Sequence, residues 1–333
     1  MTIYLLRRAI GTIPVIVLIT VLVYSLLQLA PGDPATLLLP ADATEADVAD
    51  AKRRWGLDQP LYTQCFYFMS SALRGDFGKS FRFAQPVSEL IKIRLPATVE
   101  LAFLAMLVAT GIAIPLGIIS GAKPNSSVDT VGTLFGLFGI SMPNFWFGIM
   151  LILFFAGVLH VLPSAGRSEY GIAGETITGF YLLDSALAGN WAGLADALKH
   201  VALPALALGT ALAGIQMRIT RSAVLEVTRE DYVTVARVKG LPDPAVMIRH
   251  VLRNSLIPII TVVGLELGTL LSGSIIIETV FAWPGVGSLL ITGVSSRDYP
   301  LVTGIVLMYS VAFVAINLVV DALYAIVDPR IRF

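Results

Sequence analysis

The chain has 333 residues, 56% of them hydrophobic and 14% charged, with a mean hydropathy of +0.81, against roughly 45–50% apolar and about 25% charged in soluble globular domains. Its 23 basic and 23 acidic residues cancel, so no overall basic field exists to recruit nucleic acid. The lone Cys65 excludes an intramolecular disulfide, and His160, His200 and His250 stand too far apart in sequence to suggest a metal cluster.

A helix crossing the ~30 Å hydrocarbon layer needs about 20 apolar residues, because lipid offers no partner to unpaired backbone groups. Six stretches meet this need and predict an all-α, polytopic membrane protein with six transmembrane helices. Residues 1–8, with Arg7 and Arg8, lead into a charge-free first span at 9–30. Its apolar run exceeds the roughly 7–15 residues of a signal-peptide core. Gln28-Leu29-Ala30 before Pro31 is also a poor cleavage site, so this segment is expected to stay as an anchor. Residues 31–96 carry eight basic and eight acidic side chains and predict a small cap. Within it Val48, Ala51 and Trp55 stand at helical spacing while Gly75, Gly78 and Pro86 punctuate turns, so short amphipathic helices are expected.

The second span covers 97–121, a short loop with Lys123 covers 122–130, and the third span, 131–159, is long enough to tilt or kink. A loop at 160–200 precedes a fourth span at 201–217, and a polar segment at 218–254 leads to a fifth at 255–280, where Ser255–Ile277 holds one charge, Glu266. The connection 281–300 contains Trp283-Pro284-Gly285-Val286-Gly287 and is expected to form a re-entrant or surface hairpin lining the outer mouth. The sixth span, 301–321, and the tail, 322–333, complete the chain. Lys and Arg in short loops resist translocation. Arg7, Arg8, Lys123, Arg330 and Arg332 fall on one side with Arg218, Arg221, Arg229, Arg237, Lys239, Arg249 and Arg253, whereas the other side holds Arg167, Lys199 and Arg297. Both termini are therefore expected in the cytoplasm, with the 31–96 cap outside.

The 218–254 loop is unusually long for a connection between packed elements. Thr228 and Asp231 offer a capping start, Tyr232, Val235, Ala236 and Val238 an apolar face, and Gly240 with Pro242 a stop. Arg249, His250 and Arg253 resume a basic helix. Periodicity alone leaves two readings open: a helical hairpin that plugs a partner's groove, or a solvated loop whose arginines only set topology.

The segment Asp231–Pro258 (DYVTVARVKGLPDPAVMIRHVLRNSLIP) resembles the cytoplasmic coupling loop of ABC importer permeases, in the form used by the dipeptide, oligopeptide and nickel branch. Ala236, Gly240 and Leu252 stand where the general Glu-Ala-Ala-x3-Gly-x9-Ile-x-Leu-Pro pattern wants them. Thr234, Val235, His250 and Arg253 depart from it, and the peptide-branch form fits better. The likeness continues through Ala30-Pro31-Gly32-Asp33-Pro34, Gly75-Asp76-Phe77-Gly78 with Ser80, Arg94-Leu95-Pro96-Ala97-Thr98 and Ser141-Met142-Pro143. It runs on through Glu278-Thr279-Val280-Phe281, Arg297-Asp298-Tyr299-Pro300, Asn317 with Asp321, and Asp328-Pro329-Arg330.

The resemblance implies a type I ABC importer permease core in the inner membrane of a bacterium. It also implies a second homologous permease, two cytoplasmic ATPases and an extracytoplasmic solute-binding protein, expected to be a lipoprotein, with peptides as solute. ATP and Mg would act in the partner ATPases, leaving this chain non-catalytic and without a cofactor of its own. The coupling residues it implies are Asp231, Tyr232, Ala236, Arg237, Lys239, Gly240, Arg249 and His250.

For the translocation path the candidates are Glu266, Ser141, Asn144 and Glu278. Glu266 lies eleven positions after Ser255, roughly 16 Å by helical rise and so near the midplane, where a carboxylate is expected to face a cavity or a partner. A packing role with a protonated or hydrogen-bonded carboxyl is the alternative. Gly264, Gly268 and Gly273 are expected to mark a packing seam, and Glu100 and Asp321, near membrane ends, to be structural. The rival functions are a proton-coupled secondary peptide transporter using Glu266, which lacks a visible half-to-half repeat, a structural scaffold, and an intramembrane serine protease. The protease would need a base beside Ser141, and no histidine lies mid-helix.

Overall fold

The computed structural model describes residues 2–29, 39, 43–169 and 176–327. The motif residues Ala30, Pro31, Gly32, Asp33 and Pro34, and Asp328, Pro329, Arg330 and Arg332, lie outside the described residues. Among the described residues the structure is helical, apart from one isolated bridge between Lys79 and Pro86. Two compact units emerge: 1–98 with 284–315, and 99–283 with 316–333.

The first unit holds α1 (Thr2–Leu29), α2 (Glu45–Trp55), α3 (Leu61–Ala72), the start of α4 (Val87–Ala122), α12 (Val286–Ser295) and the start of α13 (Tyr299–Val327). A capping box starts α2: the Thr44 hydroxyl accepts the Asp47 N–H at 3.3 Å while the Asp47 carboxylate accepts the Thr44 N–H at 2.9 Å. Gly56, at φ +67°, ends it. Val87, Leu90 and Ile91 of α4 pack against Val286, Leu289, Leu301 and Ile305, each contributing roughly 1.5–3 kcal/mol on leaving water. The segment expected as a hairpin is therefore helical over ten residues, because Val286 and Leu289 put an apolar face on that core. The buried Asp298 holds the following turn by accepting from the Ser80 hydroxyl and from the N–H groups of Arg82, at 3.1 Å, and Leu301, at 3.3 Å.

In the second unit, α8 (Trp191–Thr228) is the central helix, flanked by α5 (Ser127–Ser141), α6 (Asn144–Leu151), α7 (Tyr181–Leu187) and α11 (Arg253–Val280). Its 38 residues rise about 57 Å, well past both ends of the expected 201–217 span. The added turns carry Asp196, Lys199, Arg218 and Arg221, which suit the polar margins of a membrane. Backbones of α5 and α8 meet so closely that a Cβ on Gly139 would lie 2.6 Å from the Thr210 carbonyl oxygen, and one on Gly214 2.6 Å from that of Gly136. The third apolar segment breaks at Met142-Pro143, where α5 and the helix Asn144–Val158 meet at 105°. Proline lacks an N–H and forces the preceding residue out of the helical region, as Met142 shows at ψ 127°.

Among the described residues, α4, α8, Asp243–Leu270 and Tyr299–Val320 are long and apolar enough to cross a membrane, the bent pair making a fifth candidate. Pro14–Leu26 of α1 is a shorter apolar stretch.

Candidate coupling and translocation site

Between α8 and α11 the chain folds into a helical hairpin: α9 (Asp231–Val238), a turn, α10 (Asp243–Val246) and a π-helical turn (Met247–Leu252) that runs straight into α11. Thr228 does not cap α9. It remains the last residue of α8, and its hydroxyl donates to the Val224 carbonyl at 2.6 Å, while α9 starts at Glu230 without a side-chain cap. The expected apolar face is also split. Val233 and Ala236, three apart, turn inward onto Val224, Val246 and Val251, whereas Tyr232, Val235 and Val238 are 42%, 50% and 83% exposed. Periodicity overlooked Val233 because eight residues make barely two turns and two neighbouring stripes are both apolar.

Gly240, at φ +81°, ends α9 with its N–H on the Arg237 carbonyl at 2.9 Å, while the Leu241 N–H reaches Ala236 at 3.4 Å. That left-handed geometry favours glycine. Arg237 and Asp243 stand 3.7 Å apart in solvent, worth little by themselves. Asp231, Tyr232, Arg237, Lys239 and Gly240 are exposed together, Arg249 is exposed and His250 half-buried on the returning π-helical turn of the hairpin, and Ala236 belongs to its core. The result is an apolar centre of Tyr232, Val235 and Val238 rimmed by charge. Beside it, a hollow of about 550 Å³ is lined by Leu225, Glu226, Arg229, Glu230 and Asp231.

Seven residues before its end, α8 is tied to α5. Asp129 at the start of α5 receives the Arg221 guanidinium of α8 at 2.5 and 2.8 Å, a two-point pairing that sequence reading did not anticipate because 92 residues separate the partners.

The candidate path residues are dispersed. Ser141 is exposed and Asn144 half-buried at the two sides of the 105° bend. Glu266 is 5% exposed on α11, and its Oε2 accepts the Gln216 amide of α8 at 2.5 Å. Gln216 also reaches the Met106 sulfur at 3.3 Å. Among the described residues neither Glu266 Oε1 nor Gln216 Oε1 has a hydrogen-bond partner. Glu278, twelve residues on and fully buried, lies about 18 Å along the helix and accepts the Ser274 hydroxyl at 3.3 Å. Gly264 of the expected seam meets Val320, whose nearest methyl would be 2.5 Å from an added Cβ.

At the far end of α8, a second polar cluster secures the loop after the bend. Arg167 and Glu100 are both buried and pair through Nε at 3.0 Å and Nη2 at 2.6 Å. The Leu182 N–H donates to the other Glu100 oxygen at 2.8 Å, and Arg167 donates to the Gly179 carbonyl at 2.8 Å. The guanidinium lies 3.9 Å over the Tyr181 ring. Glu100 thus has the structural role expected of it, with a partner 67 residues away. Nearby, burial pushes the Asp184 carboxyl up, but four donors from Ile177, Thr178 and Gly179 outweigh it and hold the group below its ordinary value.

Two family models match the chain: "Binding-protein-dependent transport system inner membrane component" over residues 113–333 and "Binding-prot-dependent transport system membrane comp, N-term" over 1–102. The chain is 44% identical to the "Probable D,D-dipeptide transport system permease protein DdpB" of Escherichia coli (strain K12), over 98% of this chain and 96% of that one. It is 39% identical to the "Dipeptide transport system permease protein DppB" of Alkalihalophilus pseudofirmus, over 99% of each. The "Glutathione transport system permease protein GsiC" of Salmonella typhi is 38% identical, again over 99% of each. In fold it resembles a chain of an inward-facing MetNI methionine ABC transporter, with a TM-score of 0.53 at 14% identity, covering 72% of this chain and 96% of that one. With both halves matched and full-length relatives well above chance identity, the chain belongs to the ABC importer permeases of the dipeptide branch, the inner membrane components of binding-protein-dependent transport systems.

Proposed function

We propose that this chain forms half of a peptide-conducting pore, opened by ATP hydrolysis in partner chains. The observation that carries the reading is the water-exposed hairpin between α8 and α11, whose exposed Tyr232, Val235 and Val238 offer an apolar plug while Val233 and Ala236 weld it to its own helices. A partner ATPase that grips Asp231, Tyr232, Arg237, Lys239, Arg249 and His250 moves two membrane helices at once, because α8 and α11 enter the hairpin almost without interruption. Such coupling needs a motor that favours one of two packings. ATP and Mg belong to two ATPase chains, and a second homologous permease completes the pore. An extracytoplasmic solute-binding lipoprotein delivers the cargo, and both termini of this chain lie in the cytoplasm.

Peptide cargo is supported by the names of the relatives, which transport dipeptides and glutathione. In the path, Glu266 is the charged candidate. A buried carboxyl with one oxygen unsatisfied among the described residues suits an outside donor, such as a peptide ammonium or a residue of the second permease. Ser141 and Asn144 flank the helix break, and Glu278 lies further along α11.

Gly240→Leu tests the coupling. An added Cβ meets nothing within 4 Å, so the cost is the left-handed backbone, about 1–2 kcal/mol, and insertion proceeds. Uptake is expected to be lost together with ATPase co-purification. Unchanged uptake would refute docking through this hairpin.

A further inference from the structure

Helix α3 contains no charged residue in its twelve positions and has three distinct sides. Gln64 and Cys65 are buried, and Thr63 and Ser70 make a polar flank. Tyr62, Phe66, Met69 and Leu73, spaced by four, three and four, form an apolar stripe along which Tyr62 is 77%, Phe66 70% and Leu73 89% exposed.

The depth of α3 follows from its contact with α1. The Tyr24 hydroxyl donates to Gln64 at 3.1 Å, and the Tyr24 and Phe68 rings stand 6.3 Å apart. Tyr24 lies five residues before the end of α1, about 7–8 Å along the axis. At that level α1 still turns Leu22 and Leu26 outward, 51% and 60% exposed, in line with Leu18. With α1 taken as a membrane span, α3 is attached about 7–8 Å inside the end of that span, the depth to which interfacial helices bury an apolar face. Tyrosine and phenylalanine prefer that zone, with the ring in the acyl region and any hydroxyl among headgroups.

We infer that α3 is an interfacial anchor whose Tyr62, Phe66, Met69 and Leu73 stripe is covered by phospholipid, fixing the 43–96 segment onto the membrane surface. With no charged side chain along α3 to pair with a protein partner or to attract anionic headgroups, the stripe suits zwitterionic phospholipid. The inference rests on α1 being a membrane span, so the test carries its own control for that reading.

The experiment uses the full chain, with the partners that co-purify, in phosphatidylcholine nanodiscs. Cys65 is the only cysteine, so C65S followed by Phe66→Cys places one nitroxide on the stripe. Leu18→Cys reports lipid exposure on α1, and Arg54→Cys, on the exposed surface of α2, reports water. Power saturation is expected to give Phe66 an oxygen-to-nickel-chelate accessibility ratio within about twofold of Leu18 and at least fivefold above Arg54. A ratio like that of Arg54 overturns the inference, as does exclusion of both reagents, which would mean a protein cover. A water-like Leu18 overturns it too, through α1 itself. If C65S fails to insert, Phe66→Trp in the native background is read with brominated lipid. A new quenched component above the four native tryptophans supports the anchor, and none overturns it.

Discussion

Replacing Arg167 by methionine isolates what the buried Glu100–Arg167 pair does. Glu100 would keep the Leu182 N–H but lose a guanidinium that reaches it at 3.0 and 2.6 Å in a site only 7% exposed. Removing one partner of a buried pair costs about 3–5 kcal/mol, mostly from the charge left behind. Replacing both, as in Glu100→Leu with Arg167→Met, removes that charge and adds only one unmet group, the Leu182 N–H, at about 1–3 kcal/mol, because the Gly179 carbonyl is already unmet in R167M. Since 1.4 kcal/mol is a factor of ten, amide exchange in peptides spanning 177–182 is expected to quicken about 100- to 4,000-fold in R167M. The double variant should recover at least tenfold of that by mass spectrometry. An acceleration below tenfold in R167M, or strictly additive effects in the double variant, would refute the claim that this pair locks the loop.

Asp184 gives a pH test. Its folded pKa is depressed, so the stability it adds is fully present above its unfolded value and is lost as pH falls through the lower folded value. Exchange in the 176–184 segment should therefore accelerate below the usual carboxylate range in the native chain, and Asp184→Asn should flatten that response. Gly214→Val forces a Cβ to within 2.6 Å of the Gly136 carbonyl oxygen and should cost several kcal/mol by parting α5 from α8, seen as a lower melting temperature; overpacking typically costs about 1–3 kcal/mol even before backbone contact. Val233→Ala empties part of the hairpin core and should lower the melting temperature more than Val238→Ala does, whereas Val238→Ala, which trims the exposed plug, should lower ATPase co-purification with little change in melting temperature. Glu266→Gln keeps the volume and should leave ATP-driven uptake of neutral-amine peptide analogues intact while weakening uptake of peptides with a free ammonium.

The apolar segments were legible because lipid imposes a length and a composition on every span. Gly240 was legible as the stop of α9, which it ends through its left-handed φ, whereas the third segment was expected only to tilt or kink and its sharp break at Pro143 was not placed. Helix ends were less so. Hydropathy stops where charge begins, but α8 continues for ten residues before and eleven after its expected span, since backbone hydrogen bonds persist in water. The pairs Asp129–Arg221, Glu100–Arg167 and Gln216–Glu266 were invisible, because each joins residues 50 or more apart and no spacing rule reaches that far. The cap at Thr228 failed for a local reason: a neighbouring helix claimed that residue as its own last turn.

Uptake into proteoliposomes holding the full complex measures the central proposal most directly. With ATP inside and no ion gradient, labelled dipeptide is expected to accumulate, to require the solute-binding protein, and to stop in the Gly240→Leu variant. Accumulation driven by an imposed proton gradient without ATP, and abolished by Glu266→Gln, would contradict it and make the chain a secondary transporter.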